Sequence, residues 1–296
     1  MKITVQKAFL CLFLFCPGII TGCMENNRSS EKCGQESTAS TDQKGNYAMV
    51  NGLKMYYEVH GQGKPLILLH GGGSSISSTY GVILPDLAKK QKVIAIDLQA
   101  HGHTADRSTP LSFEQDAADV IALLKQLNIS QADFFGFSNG GNTALHIALT
   151  HPKLVKKLIL GSVFYHPSGI HPGIFESFRN VTSADMPPQL KEAYLREAPD
   201  TSKLSSLTPK LMSRLLTFQG FDERAIRSIN VPVLIFSGNN DVATMEHTLK
   251  LSRLLPKAQL VVLPGGHGTY IGEITAAKAD SDLPSISVKL IDEFLQ

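Results

Sequence analysis

Beyond Cys33 the chain contains no cysteine: all four thiols, Cys11, Cys16, Cys23 and Cys33, fall in the first 33 of 296 residues. No disulfide or zinc–thiolate framework can hold the body of the protein, so a hydrophobic core must. Charge excess is also scarce, at a net +2. No basic run sits beside interleaved aromatics, which excludes the electrostatic footprint of a nucleic-acid binder. There is no internal repeat, and the hydrophobic content of 43% is ordinary for a globular enzyme.

The one markedly apolar stretch is short. "MKITVQKAFLCLFLFCPGIITGC" places lysines at 2 and 7 before an apolar run from Ala8 to Phe15, with Thr21 and Gly22 preceding Cys23. It is too short and too proline-broken for a membrane span and reads as a secretory signal over residues 1–22. "ITGC" resembles a bacterial lipobox, which implies lipidation of Cys23 and an exported, membrane-anchored lipoprotein facing the periplasm or the cell surface. Residues 23–46 are polar, with almost nothing to bury, and read as a flexible tether suited to such an anchor.

From Tyr47 the pattern changes. Asn51-Gly52 between two alternating runs is a hairpin signal. Short apolar runs follow: "PLILLH", "KVIAID", "ADFFGFS", "KKLILG", "VPVLIFSG" and "QLVVLPG". Helical stretches lie between most of them, such as the one keeping Ala118, Ile121, Leu124 and Leu127 at three-to-four spacing. Continuous apolar strands alternating with amphipathic helices predict an α/β fold, a mostly parallel twisted sheet with helices on both faces. Ligands in such sheets bind beyond the carboxyl ends of the strands. One interval breaks the alternation and reads as a helical cap over 165–230, leaving a core of 47–164 and 231–296. Within or beside it, Phe164, Tyr165, Ile170, Phe175, Met212 and Leu215 are candidates either to line an apolar pocket or to pack on one another.

Ser138 lies in "GFSNG", a Gly-x-Ser-x-Gly pattern that three fixed positions would produce by accident in roughly one chain in ten of this length. Its context strengthens it, because an apolar strand runs into the turn and a helical stretch leaves it. A serine hydroxyl needs a base and an orienting group before it can attack an ester. His267 follows the last core strand and Asp241 the strand before it, in the chain order serine, acid, histidine that this architecture uses. The strand near Leu160 is followed by no carboxylate. Competing readings make Asp241 an N-cap for the helix near Thr244, and His267 an ordinary loop histidine. For an oxyanion hole the glycine loop "LLHGGGSS" offers the N–H of Gly72, with Gly73 its main rival, and the turn offers the N–H of Asn139.

These segments, "HGGGSS", "DLQAHGHT", "GFSNGG", "SGNNDVAT" and "PGGHGTY", resemble in order and placement those of the α/β-hydrolase superfamily. The resemblance covers about Tyr47 to Gln296 and implies a Ser138–Asp241–His267 triad with a cap that shapes the substrate pocket. Members usually carry arginine in a "DLRGHG" segment where this chain has Gln99 and Ala100, which puts local ion pairing in doubt. The chain as a whole is also similar to serine-dependent macrolide esterases, which open the lactone ring of large macrolide antibiotics. The function this implies is hydrolysis of a small-molecule carboxylic ester or lactone through an acyl-enzyme, with no cofactor and no metal. Two other readings compete. His101, His103 and Asp106 superficially resemble a zinc-hydrolase motif, although the spacing to Asp106 is one residue too long and Arg107 stands where a histidine should follow. Alternatively, a lipoprotein of this fold could bind a small molecule without turning it over.

Overall fold

The computed structural model describes residues 45–296; the expected signal peptide, Cys23 and nearly all of the expected tether lie outside the described residues. Asn46, assigned above to the tether, already pairs with Tyr57 in the first strand pair.

Eight strands form one sheet: β1 (Asn46–Val50), β2 (Leu53–His60), β3 (Pro65–Leu69), β4 (Lys92–Ile96), β5 (Ala132–Phe137), β6 (Val155–Gly161), β7 (Val233–Gly238) and β8 (Ala258–Leu263). Their spatial order is β1-β2-β4-β3-β5-β6-β7-β8. The β1–β2 hairpin turns on Asn51 and Gly52, both at positive φ, 47° and 77°, the backbone a tight two-residue turn requires. β2 is also antiparallel to β4, whereas β3 to β8 all run parallel. From β3 the chain steps to β4 on one side and then to β5 on the other. The loops after β3 and β5 therefore diverge and open a crevice at the carboxyl edge of the sheet.

The apolar runs are continuous because both faces of the sheet are covered. Ile67, Leu69, Phe134, Leu158 and Ile235 pack on one face, and their neighbours Leu66, Leu68, Phe135, Ile159 and Phe236 pack on the other. Each such side chain contributes about 1.5–3 kcal/mol of burial free energy. The helix Phe113–Gln126, capped by the Ser112 hydroxyl, covers one face through Ala117, Val120, Leu123 and Leu124. That corrects the expected stripe: Ala118 is exposed, and Ile121 and Leu127 are only half-buried. The true inner face also carries Asp116 and Asp119, buried against Arg214 and Arg107, and inward carboxylates hide the face from a hydrophobic pattern.

Between β6 and β7 the helices Pro172–Ser177, Pro188–Glu197 and Leu204–Thr217, joined by short 3₁₀ turns, lie over the crevice. They share an apolar cluster that includes Phe178, Leu190, Leu207 and Leu211, together with Ala100, Leu111 and Val242 from core loops. Polar ties reinforce it: Arg214 Nη1 donates to Asp116 at 2.7 Å, Lys210 Nζ to Asp106 at 2.6 Å, and Ser77 Oγ to Glu197 at 2.7 Å. Among the described residues no helix is long and apolar enough to cross a membrane.

Candidate active site

Ser138 follows β5 directly, at φ 52° and ψ −119°, and the helix Asn139–Thr150 begins at the next residue. For a side-chain-bearing residue this backbone region costs on the order of 1–3 kcal/mol. Close approach of backbone to backbone explains the flanking glycines. A Cβ on Gly136 would lie 2.4 Å from the Gly140 carbonyl oxygen, and one on Gly140 would lie 2.1 Å from that of Leu69. The turn is held from both sides: Ser138 N–H donates to Gly161 O at 2.8 Å, and its carbonyl accepts from the N–H groups of Gly141 and Asn142.

Asp241 and His267 sit on the loops after β7 and β8, and His267 Nδ1 lies 2.7 Å from Asp241 Oδ1. Both side chains are buried, and His267 lines the same cleft as Ser138. Asp241 also accepts from Val242 N–H at 2.7 Å, Gly238 N–H at 3.0 Å and the Ser162 hydroxyl at 2.5 Å. Burial alone would raise its pKa. The charge of the facing imidazole and the hydrogen bonds from His267, Ser162 and Gly238 outweigh burial and hold the carboxyl below its ordinary value. An ionised carboxylate can only accept, so Nδ1 carries the imidazole proton and Nε2 is the acceptor of the neutral ring. The helix Met245–Leu254 takes its N-cap from Thr244, not from Asp241.

Ser162, absent from the residues singled out by sequence, sits just after β6 at φ 54°. Its hydroxyl gives its only proton to Asp241, so Tyr270, whose OH lies 2.9 Å away, must donate to Ser162. The end of β6 offers no carboxylate, yet its serine serves the carboxylate on the loop next door.

The glycine loop distinguishes its two rivals. Gly73 N–H donates to His101 Nε2 at 2.9 Å, whereas among the described residues no acceptor is paired with the N–H of Gly72 or of Asn139. Gly72 packs so closely on Asn139 that a Cβ there would lie 2.0 Å from the side-chain amide nitrogen. His101 is fully engaged, since its Nδ1 donates to Gln99 O at 2.7 Å, and burial holds its pKa well below the ordinary histidine value. His103 turns to Asp97, at 3.1 Å, and Asp106 to Lys210. His101, His103 and Asp106 therefore each serve a different partner, and no group of three or more His, Cys, Asp or Glu able to hold a metal occurs among the described residues. Where ion pairing was in doubt, the Gln99 amide bridges instead, accepting from Arg107 Nε at 2.9 Å and donating to Asp106 at 3.1 Å.

Above the serine, Phe164, Phe178, Leu211, Met212 and Leu215 close the cleft to a free volume of about 40 Å³, room for very few waters. Of the six apolar candidates, Phe164, Met212 and Leu215 line it. Tyr165 instead stacks on His247 with ring centroids 4.3 Å apart, Ile170 is buried in the cap cluster, and Phe175 packs against that cluster.

Similarity to known proteins agrees with this architecture. The chain is 28% identical over 245 residues to 2-hydroxymuconate semialdehyde hydrolase of Pseudomonas sp. (strain CF600), covering 74% of this chain and 86% of that one. It is 33% identical to a human serine hydrolase over 138 residues, 45% of this chain and 47% of the relative. A solved enzyme described as N-acyl homoserine lactone degrading superposes with a TM-score of 0.65 at 25% identity, over 84% of this chain and 100% of the other. A profile of the α/β hydrolase fold matches residues 64–219, more than half of the sequence. By strand order, crevice and this match, the chain belongs to the α/β-hydrolase fold family.

Proposed function

We propose that the protein is a serine hydrolase that cleaves a carboxylic ester or lactone through an acyl-enzyme on Ser138. The observation that carries this reading is the 2.7 Å bond from His267 Nδ1 to Asp241, with His267 sharing a cleft with a serine on a strained strand-to-helix turn. Neutral His267 takes the Ser138 proton through Nε2 as the hydroxyl attacks the acyl carbon. Asp241 fixes the tautomer and stabilises the imidazolium that forms. The N–H groups of Gly72 and Asn139 take the developing oxyanion, assisted by the N-terminus of the helix Asn139–Thr150. The protonated imidazole then releases the alcohol, and water, activated by the same base, frees the acid.

An acyl-enzyme route serves open-chain esters and lactones alike, and the similarity to a lactone-degrading enzyme supports including lactones. Large macrolactones belong in the same test because of the resemblance to macrolide esterases. With about 40 Å³ of free volume, the cap has to open before such a ring can enter. In this reading a lipidated Cys23 tethers the enzyme to an exported membrane face, and Cys23→Ser should move the activity into the soluble fraction.

The test is a panel of p-nitrophenyl esters, simple lactones and macrolides, followed by mass spectrometry with and without EDTA. A product heavier by one water and insensitive to chelation is expected. Chelator-sensitive turnover would favour a metal enzyme, and ligand returned unchanged after long incubation would favour a binding protein.

A further inference from the structure

The cleft is bordered by a carboxylate residue that the proposed reaction does not use. Glu273 lines the cavity alongside Ser138 and His267, and its residue is 1% exposed. Its Oε2 accepts from the N–H of Thr275 at 2.8 Å and from the Thr275 hydroxyl at 2.5 Å, so the group is fixed in place. The residues lining the cleft include no lysine and no arginine, and its ionisable side chains are His267 and Glu273. The cap cation Arg214 is paired at 2.7 Å with Asp116, lies over the Phe113 ring and does not line the cleft. Burial raises the Glu273 pKa against the opposing hydrogen bonds from Thr275, so the charge is present above that raised value. Beneath the cap the wall is otherwise largely apolar, and the field lines of that charge spread far through such a lining. A substrate carboxylate entering there would lose its hydration, meet no cation, and face a like charge.

We propose that Glu273 sets the charge selectivity of this cleft, excluding substrates whose acyl portion carries a carboxylate and admitting neutral or cationic ones. The proposal rests on the reading of Ser138 as nucleophile and goes beyond it by naming the substrate class. Glu273 acts here as a specificity determinant, not as a proton donor or acceptor in the chemical step. Its position six residues after His267 brings it to the same cleft because the chain between them turns back at Gly268 and Gly272, both at positive φ.

The experiment compares three p-nitrophenyl esters with six-carbon acyl chains: the hexanoate, the adipate mono-ester ending in a carboxylate, and the 6-aminohexanoate ending in an ammonium. Each kcat/KM is divided by the ester's rate with hydroxide, to remove intrinsic reactivity. The wild type should prefer hexanoate over the adipate mono-ester by about tenfold or more, and should accept the amino ester better than the adipate. Glu273→Gln, which keeps the shape and removes the charge, should narrow the hexanoate-to-adipate ratio at least about fivefold, mainly by improving the adipate. Thr275→Val, which frees the carboxylate, is a second variant and should narrow the ratio less. A wild type that prefers the adipate ester, or a ratio unmoved by Glu273→Gln while hexanoate is still cleaved, would overturn the assignment and leave the serine mechanism standing. Failure to turn over any of the three, with Ser138 unlabelled by a fluorophosphonate, would overturn both.

Discussion

The loops at the carboxyl edge of the sheet and the cap above them are held by different physics. At the sheet edge, each group of the candidate site is fixed by short, directional bonds from adjacent strand ends: Ser138 N–H to Gly161, Asp241 to Gly238 and Ser162, Gly73 to His101. The cap is held by an apolar cluster and a few ion pairs, which tolerate sliding and repacking. The contrast teaches where rigidity lies: directional bonds fix the strand-end loops, whereas the cap rests on apolar packing. The sheet edge holds the candidate triad in a fixed geometry, and the cap lays an apolar wall over it.

If that contrast holds, substitutions at Ser138 and at the groups that hold Asp241 should act on kcat, and those at the cap contacts on stability. The largest effect is expected for Ser138→Ala, which should lower kcat for any cleaved ester by about 10⁴-fold or more while the far-UV circular dichroism is unchanged. Ser162→Ala comes next. Removing the hydroxyl that donates to Asp241 at 2.5 Å should cost about tenfold in kcat with little change in KM, the loss of one hydrogen bond to a charged group. An equal loss in KM would mean that Ser162 acts on the cleft rather than on the acid.

The cap contact is probed by pH. His247 accepts the N–H of Tyr165, at the start of the cap, through Nε2 at 3.1 Å, and burial lowers its pKa to about 4. A histidine depressed on folding contributes stability that is full above its unfolded pKa and is lost as pH falls through the folded one. Urea unfolding should therefore show about 2 kcal/mol less stability at about pH 4.5 than at about pH 7 from this group, a loss that His247→Gln should largely remove. Asp116 works in the opposite direction: burial raises its pKa to about 6 despite Arg214, so its contribution is full in acid and declines as pH rises through that value. The two must be separated by mutation, not by the wild-type profile alone.

The smallest effect is expected at Ala100, a residue with a Cβ held at φ 65°. Ala100→Gly should raise stability by about 0.5–1 kcal/mol, seen as a higher Tm, without changing kcat.

Much of the sheet was legible because parallel strands covered on both faces leave continuous apolar runs, and the Asn51-Gly52 turn is nearly self-declaring. Ser138, Asp241 and His267 were legible as positions, each being the chemically able residue at a strand's carboxyl end. The rest depended on partners far apart in the chain. Gly72 and Gly73 are indistinguishable until His101, 28 residues on in the chain, takes the Gly73 N–H. Ser162 carries no motif, and only the fold brings it to Asp241. The inner face of the helix Phe113–Gln126 was misread because Asp116 and Asp119 look like solvent positions until Arg214 and Arg107 arrive to meet them. Among the cap residues, composition could not separate those lining the cleft, such as Met212, from those packing on the core, such as Tyr165 on His247.

In the proposed mechanism a single oxygen, that of Ser138, carries the acyl group between the two halves of the reaction. Rapid acid quench of the wild type during turnover of a p-nitrophenyl ester, followed by peptide mass mapping, tests it directly. An acyl mass increment is expected on the peptide containing Ser138 and on no other. Turnover without any acylated peptide, or acylation at a different residue, would contradict it.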